Sequence, residues 1–246
     1  MRTITLLLTI IFLAACPCSV HAGTLSGSIS GESLSSSTLE YFCLGLNYDN
    51  GKRGIKSDSG DTRKLETQVY SLFLGYDLSN WCTLFATLGQ SEAKLPGYNS
   101  SKFGQGKGKW SLGLNANLWH VELTDPPLFT GRISLKPAIE LSRYNSSLDN
   151  RIIEWTDISG AILICYEKVI EDPKYNVTQF YGYTIYGGPA FSVMNGSISG
   201  ETDFTEEKSI GLIAGLDFFI TSNFSLGGQI QSFDELSGSL NFRYHF

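Results

Sequence analysis

The stretch Leu236-Ser-Gly-Ser-Leu-Asn-Phe-Arg-Tyr-His-Phe246 limits what this chain can fold into more than any other. Every second residue from Gly238 is small or apolar: Gly238, Leu240, Phe242, Tyr244 and Phe246. Between them stand Ser239, Asn241, Arg243 and His245, all polar. Side chains along a strand point to opposite faces in turn, so this pattern makes one apolar and one polar face. The last strand of a soluble sandwich usually frays or is followed by polar residues. An apolar face rich in Phe and Tyr through to Phe246 suits a strand whose outer side meets lipid and whose polar side lines a barrel lumen.

The same two-faced pattern recurs along the chain. A first strand, about 39–49, turns Phe42, Leu44, Leu46 and Tyr48 outward and Cys43, Gly45 and Asn47 inward. A second, about 66–78, shows Tyr70, Leu72, Leu74 and Tyr76, and a third runs to about Gln90. The fourth carries Trp110, Leu112, Leu114, Ala116 and Leu118 on its outer face. The fifth, about 130–143, has Ile133, Leu135, Pro137, Ile139 and Leu141 outward, and Pro137 predicts a local bulge because it cannot donate to the ladder. The sixth, about 154–168, turns out Ile158, Ile162, Ile164 and Tyr166; the seventh, about 177–192, Tyr181, Tyr183, Ile185 and Phe191. Ile210 to Ile220, then Phe224, Leu226 and Ile230, supply the eighth and ninth. Stretches 49–65, 91–109 and 195–208 are polar and read as long loops, whereas the connection after the second strand, Asp125-Pro-Pro127 and Thr221-Ser-Asn223 read as tight turns. The expected fold is all-β: a closed antiparallel transmembrane β-barrel of about ten strands, with eight as the alternative if the sixth or ninth is misread. A soluble β-sandwich competes, but its outward faces should be polar.

Composition enters where it excludes other classes. Ile4 to Ala15 is an uncharged apolar run behind Arg2, the length of a signal-peptide core and short for a membrane span. Val20-His-Ala22 gives a signal peptide of residues 1–22; Leu13-Ala-Ala-Cys16 also matches a lipobox that would lipidate Cys16. Residues 23–37 form a Ser/Gly-rich lead-in before a barrel over 38–246. After that leader no stretch approaches 18 apolar residues, so no transmembrane helix is expected. Loss of Arg2 takes the formal charge from −6 to −7, which argues against nucleic acid as a partner. Cys43, Cys82 and Cys165 remain, an odd number without CxxC or Cys/His spacing; they read as small apolar residues, with one disulfide open and no metal site expected. No phosphate loop, dinucleotide fingerprint or EF-hand is present, and no cofactor is expected.

Leader, repeated amphipathic strands and the terminal Leu240-Asn-Phe-Arg-Tyr-His-Phe246 together resemble the small bacterial outer-membrane β-barrel families, with an OmpA- or opacity-like pattern. The resemblance implies an exported protein of a bacterial outer membrane. It also implies that Leu240, Phe242, Tyr244 and Phe246 act as the signal read by the barrel-assembly machinery. Such barrels do many jobs, so the fold leaves the function open.

Three functional readings follow from the residues. Charges facing lipid are costly, so Arg132, Lys136, Glu140, Glu167, Asp217 and Arg243 should point into the lumen and pair. There they would form either a solute-selecting constriction or an ion-paired filling of a narrow barrel. Lys52, Arg53, Lys56, Arg63 and Lys64 in one loop, with Lys94, Lys102, Lys107 and Lys109 in another, could meet lipopolysaccharide phosphates or an external ligand, as an adhesin-like barrel would; Glu201, Asp203, Glu206 and Glu207 make the 195–208 loop acidic. An enzyme is not expected: outer-membrane proteases and lipid A-modifying barrels use His, and His120 and His245 fall at the wrong ends of their strands. The expectation is a structural or surface-binding barrel with at most a narrow passive pore.

Overall fold

Period-two alternation carries the chain into twelve strands in a computed structural model that describes residues 42–246 apart from 59, 80, 98–101, 124–130, 149–150, 170–181, 201–202 and 222. The expected leader, lead-in and lipidation site lie outside the described residues. The strands are β1 (Phe42–Ser57), β2 (Thr62–Ser79), β3 (Cys82–Lys94), β4 (Gly106–Ala116), β5 (Trp119–Leu123) and β6 (Gly131–Leu148). They continue with β7 (Arg151–Val169), β8 (Gly182–Ile198), β9 (Asp203–Glu206), β10 (Ile210–Thr221), β11 (Phe224–Ser232) and β12 (Leu236–His245). Neighbours pair antiparallel in the order β1-β2-β3-β4-β6-β7-β8-β10-β11-β12, and β12 returns to β1 from Cys43↔His245 to Asn50↔Gly238. The fold is therefore all-β, a closed antiparallel barrel with ten positions in its wall. The sixth and ninth expected strands are present as β7 and β11, so the eight-strand alternative does not hold.

One position is shared. β4 pairs with β6 as far as Asn115↔Ala138, and β5 resumes at Trp119↔Leu135. Three residues of the β4–β5 strand thus face the two residues Lys136 and Pro137 of β6. The expected irregularity falls beside Pro137, on the facing strand, where the ladder lacks a donor. The extra residue shifts the alternation, so Ala116 is buried rather than outward while Leu118 and Trp119 are both exposed.

Outside, the expected apolar faces hold. Leu46, Leu72, Leu88, Ile164, Ile185, Leu212 and Leu240 are all more than half exposed. Aromatic pairs edge this belt: Phe42–Tyr76, Tyr166–Tyr183 and Tyr244–Phe246 at the end holding Phe42 and Phe246, and Tyr48–Tyr70 towards the other. We call these the terminal end and the far end.

At the far end the expected loops are mostly sheet. β1 and β2 run on through most of 49–65 to a turn at Gly60, which takes φ 91°. β3 and β4 take the two ends of 91–109, and 195–208 holds the end of β8 and the short β9. The strands run further than expected because the ladder continues where the outward residues turn from apolar to polar. β10, β11 and β12 stop lower than their neighbours. β9 lies above them, pairing with β8 (Gly196↔Phe204) and β1 (Ser57↔Phe204). Beyond the belt the wall closes again with eight segments: β1, β2, β3, the 104–106 stretch, β6, β7, β8 and β9. Two closed storeys share one chain.

Candidate functional site: the lumen

In the upper storey the alternation inverts. Lys52, Lys56, Lys64 and Glu154 point outward, and Ile55, Leu65 and Ile153 point inward. The inward set is Ile55, Leu65, Ala93, Leu95, Leu148, Ile153, Trp155, Met194, Ile198 and Phe204, packed together with no member more than 5% exposed. Seven of the eight wall segments or their immediate extensions supply them. Trp155 stacks on Tyr144 with ring centres 4.9 Å apart and planes 8° from parallel. Burial of this kind contributes about 1.5–3 kcal/mol per large side chain. It fills the lumen's far end with hydrocarbon, as in a soluble barrel.

At the terminal end the lumen is filled differently. Phe73 stacks on Phe85 at 5.6 Å, and the Phe85 ring lies over Gly113, where a Cβ would collide with it. The Arg243 guanidinium lies over the Phe73 ring, 3.9 Å from its centre. Leu163, Cys165 and Tyr186 are buried in a second cluster with Ala161, Ala190 and Ile213, and Phe219 is buried beside the His245 ring. Between the two fillings lies a cavity of about 210 Å³, bounded above by Leu65, Trp155 and Met194 and below by Phe73, Phe85 and Arg243.

The six expected lumen charges all face inward but form separate groups. Lys136 pairs with Glu167, both almost fully buried, and Ser134 Oγ lies 3.5 Å from the same carboxylate. Arg132, near the terminal mouth, pairs instead with Glu122 at 2.7 Å. Glu140 meets Lys109 at 3.8 Å and accepts from Ser142 Oγ at 3.2 Å. Asp217 accepts from Asn241 Nδ2 at 3.4 Å. Arg243 donates to Asn47 and to the Leu46 carbonyl. These are distributed pairs within a packed interior rather than one ring.

The basic loop clusters also divide. Arg53 and Lys109, expected at the surface, are buried: Arg53 reaches Ser192 Oγ at 3.1 Å and lies over Phe233, and Lys109 Nζ sits among Thr87, Ser111 and Glu140. Lys52, Lys56 and Lys64 remain exposed. Lys64 holds Glu235 by a hydrogen bond and its charge, which keeps that loop carboxyl below its ordinary range.

His120 lies on the inner face opposite Ser134, its Nδ1 buried without a hydrogen-bond partner among the described residues. His245 Nε2 stands 3.4 Å from Ser225 Oγ beside the Phe219 ring. The three cysteines are free thiols, so the open disulfide does not form among them. Among the described residues no cluster of three or more His, Cys, Asp or Glu could hold a metal. The apolar far-end filling is what the sequence reading missed. Its signal was available in the inverted parity of Ile55, Leu65, Ile153 and Phe204.

No family model matches the chain and no curated protein matches it in sequence. Among solved structures it is similar to an outer membrane channel from Pseudomonas putida F1, at 12% identity and TM-score 0.44, over 89% of this chain and 100% of the other. It is similar also to the transport unit of the autotransporter AIDA-I from Escherichia coli, at 13% identity and TM-score 0.45, over 90% and 95%. The translocator domain of the autotransporter NalP from Neisseria meningitidis aligns at 11% identity and TM-score 0.34, over 87% and 90%. Likeness at this level carries no activity to the present chain.

Proposed function

We propose that the protein is a bacterial outer-membrane β-barrel that is closed to solutes and works as a structural, surface-presenting element. Support for the membrane comes from the belt. A row of exposed Leu and Ile on a closed wall, edged with aromatics at both borders, suits hydrocarbon with an interface on either side. Leu78 to Tyr70 on β2 spans about 27 Å at ~3.4 Å per residue before tilt, close to the ~25 Å belt of such barrels. In that family of folds the chain ends are periplasmic. The terminal end then faces the periplasm and the upper storey faces outward.

One observation carries the closed reading: the ten-residue apolar core that fills the outer lumen. A solute path would have to pass through this buried hydrocarbon cluster. Of the two expectations for the lumen, a solute-selecting constriction and an ion-paired filling, this supports a filling, apolar at its outer part, as in many small barrels. The test is refolding into phosphatidylcholine vesicles with a heat-modifiability gel, followed by planar-bilayer recording. A folded band that inserts and yields no steady single-channel steps is expected. Steps that change when Lys136 is neutralised would restore the pore.

A further inference from the structure

Inside the wall, the chamber between the two lumen fillings is lined by six charged side chains, Asp49, Glu140 and Asp157 with Arg53, Lys109 and Arg243. The signs balance, but the hydrogen bonding does not. Each cation is already engaged. Arg53 reaches Ser192 Oγ at 3.1 Å, the Lys208 carbonyl at 3.3 Å and Asp234 at 3.8 Å. Lys109 is held by Thr87, Ser111 and Glu140, and Arg243 by Asn47 and the Leu46 carbonyl. The carboxylates keep free acceptor sites. Asp49 faces inward between Ser239 of β12 and Val69 of β2, and has no hydrogen bond or ion pair among the described residues. Asp157 accepts from Ser192 Oγ at 2.6 Å. An ionised carboxylate can accept at about four lone-pair sites, so the chamber holds charged acceptors without a free cation to meet them. Its two ends are aromatic, the Tyr144–Trp155 stack above and the Phe73–Phe85 stack below.

We propose that this chamber binds a short aliphatic amine in its protonated form, with the ammonium on Asp49 and the carbon chain between the two aromatic stacks. The inference goes beyond the structural role proposed above and does not depend on the membrane reading. An ammonium brings three donors and a charge, which Asp49 lacks, and a cation close to the face of Trp155 gains further attraction. The cavity of about 210 Å³ has the volume of roughly seven waters at ~30 Å³ each, so the guest is a chain of a few carbons. Entry need not cross either filling. β1 pairs with β12 as far as Asn50 and with β9 from Ile55. Between these ladders the Lys52 N–H donates to Ser237 Oγ at 2.9 Å and the Gly54 N–H to Asp234, so side chains stand in for a neighbouring strand. Behind this seam Phe233 and Arg53, which also line the chamber, pack with the guanidinium 4.0 Å from the ring centre. Movement of these two side chains admits a small guest from the side and opens no path through the barrel.

Trp155 reports on the chamber directly. The other tryptophans, Trp81, Trp110 and Trp119, are exposed and are replaced by Phe to leave it as the sole emitter. The full chain, folded in non-ionic detergent, is incubated with butylamine, butanol or butyrate, and Trp155 emission is followed to saturation. Butylamine should give a saturable change, and butanol and butyrate none over the same range. Asp49→Asn should weaken butylamine binding about 10- to 100-fold, the loss of a hydrogen bond to a charged group. Ser159→Leu, which fills the chamber with Asp49 intact, should abolish it and keeps the test open where Asp49→Asn does not fold. The heat-modifiability gel confirms that each variant is folded. An equal response to butanol, no saturable response to butylamine, or binding untouched by either substitution overturns the proposal and reduces the chamber to a pocket of trapped water. Each of these results leaves the closed-barrel reading to its own bilayer test.

Discussion

Lys136 and Glu167 are the most deeply buried ion pair among the described residues, and single and double substitutions there should behave differently. Removing one partner strands a charge in a packed interior, at a cost of about 3–5 kcal/mol, whereas replacing both by apolar residues of like size is often close to neutral. Glu167→Gln should therefore lower the urea midpoint of the vesicle-inserted barrel clearly, and Lys136→Met with Glu167→Leu should restore most of it. Equal losses in the single and the double variant would mean the pair stabilises the barrel outright. Gly113 makes a second residue-scale case. Its place beneath Phe85 leaves no room for a methyl group, so Gly113→Ala should cost about 1–3 kcal/mol as overpacking. Phe85→Leu in the same chain should return part of that loss; without such rescue, the glycine would be required for its backbone rather than for the ring above it.

Elements differ in how openly the sequence displayed them. The ten wall strands were legible because outward-facing Leu, Ile, Tyr and Phe recur at a period of two with small or polar residues between. The far ends of β1, β2, β3 and β8 were not, because above the belt the outer face carries Lys52, Glu66, Lys94 and Asn195, which look like loop to any reading that equates apolar with strand. β9 is four residues long and was lost for the same reason. The six lumen charges stand at inward positions of their strands, but their partners depend on cross-strand register. Glu122 and Lys109, which meet Arg132 and Glu140, could not be read from spacing. β12 carries the remaining element-scale prediction. Phe246 and Tyr244 pack on each other at 5.0 Å on the outer face of the terminal rim, and the Phe246 N–H donates to the Phe42 carbonyl at 3.1 Å. Truncating rings at an exposed rim removes little packing, so Phe246→Ala should leave refolding stability within about 1 kcal/mol. If the terminal strand is read by the assembly machinery, the amount of folded barrel in cells should fall several-fold all the same. A parallel fall in both measurements would reduce Phe246 to a packing residue.

At the scale of the whole molecule, two storeys with opposite hydrophobic polarity share continuous strands. The ten-strand storey is apolar outside and mixed within; the eight-segment storey is polar outside and apolar within. On the proposed membrane reading the lower is stabilised by surrounding lipid and the upper by its own core, so they should open separately. Backbone hydrogen exchange on the inserted barrel distinguishes this from a membrane barrel with loose external loops. Loops would exchange at once, whereas amides at Ile55, Leu65 and Ile153 should be protected to a degree near that of belt amides. Phe204 links β9 to the shared core, and its loss should cost about 3–5 kcal/mol. Phe204→Ala should therefore release β9, the end of β1 at Ile55–Ser57 and the β8 stretch at Asn195–Ser197 together, because those are the backbone segments β9 pairs with. Protection in β10, β11 and β12 should stay, since these strands end below β9 and draw their stability from the belt. Uniform loss through both storeys would mean that the barrel opens as one unit, and that the upper core is a condition of the membrane fold rather than a cap built on it.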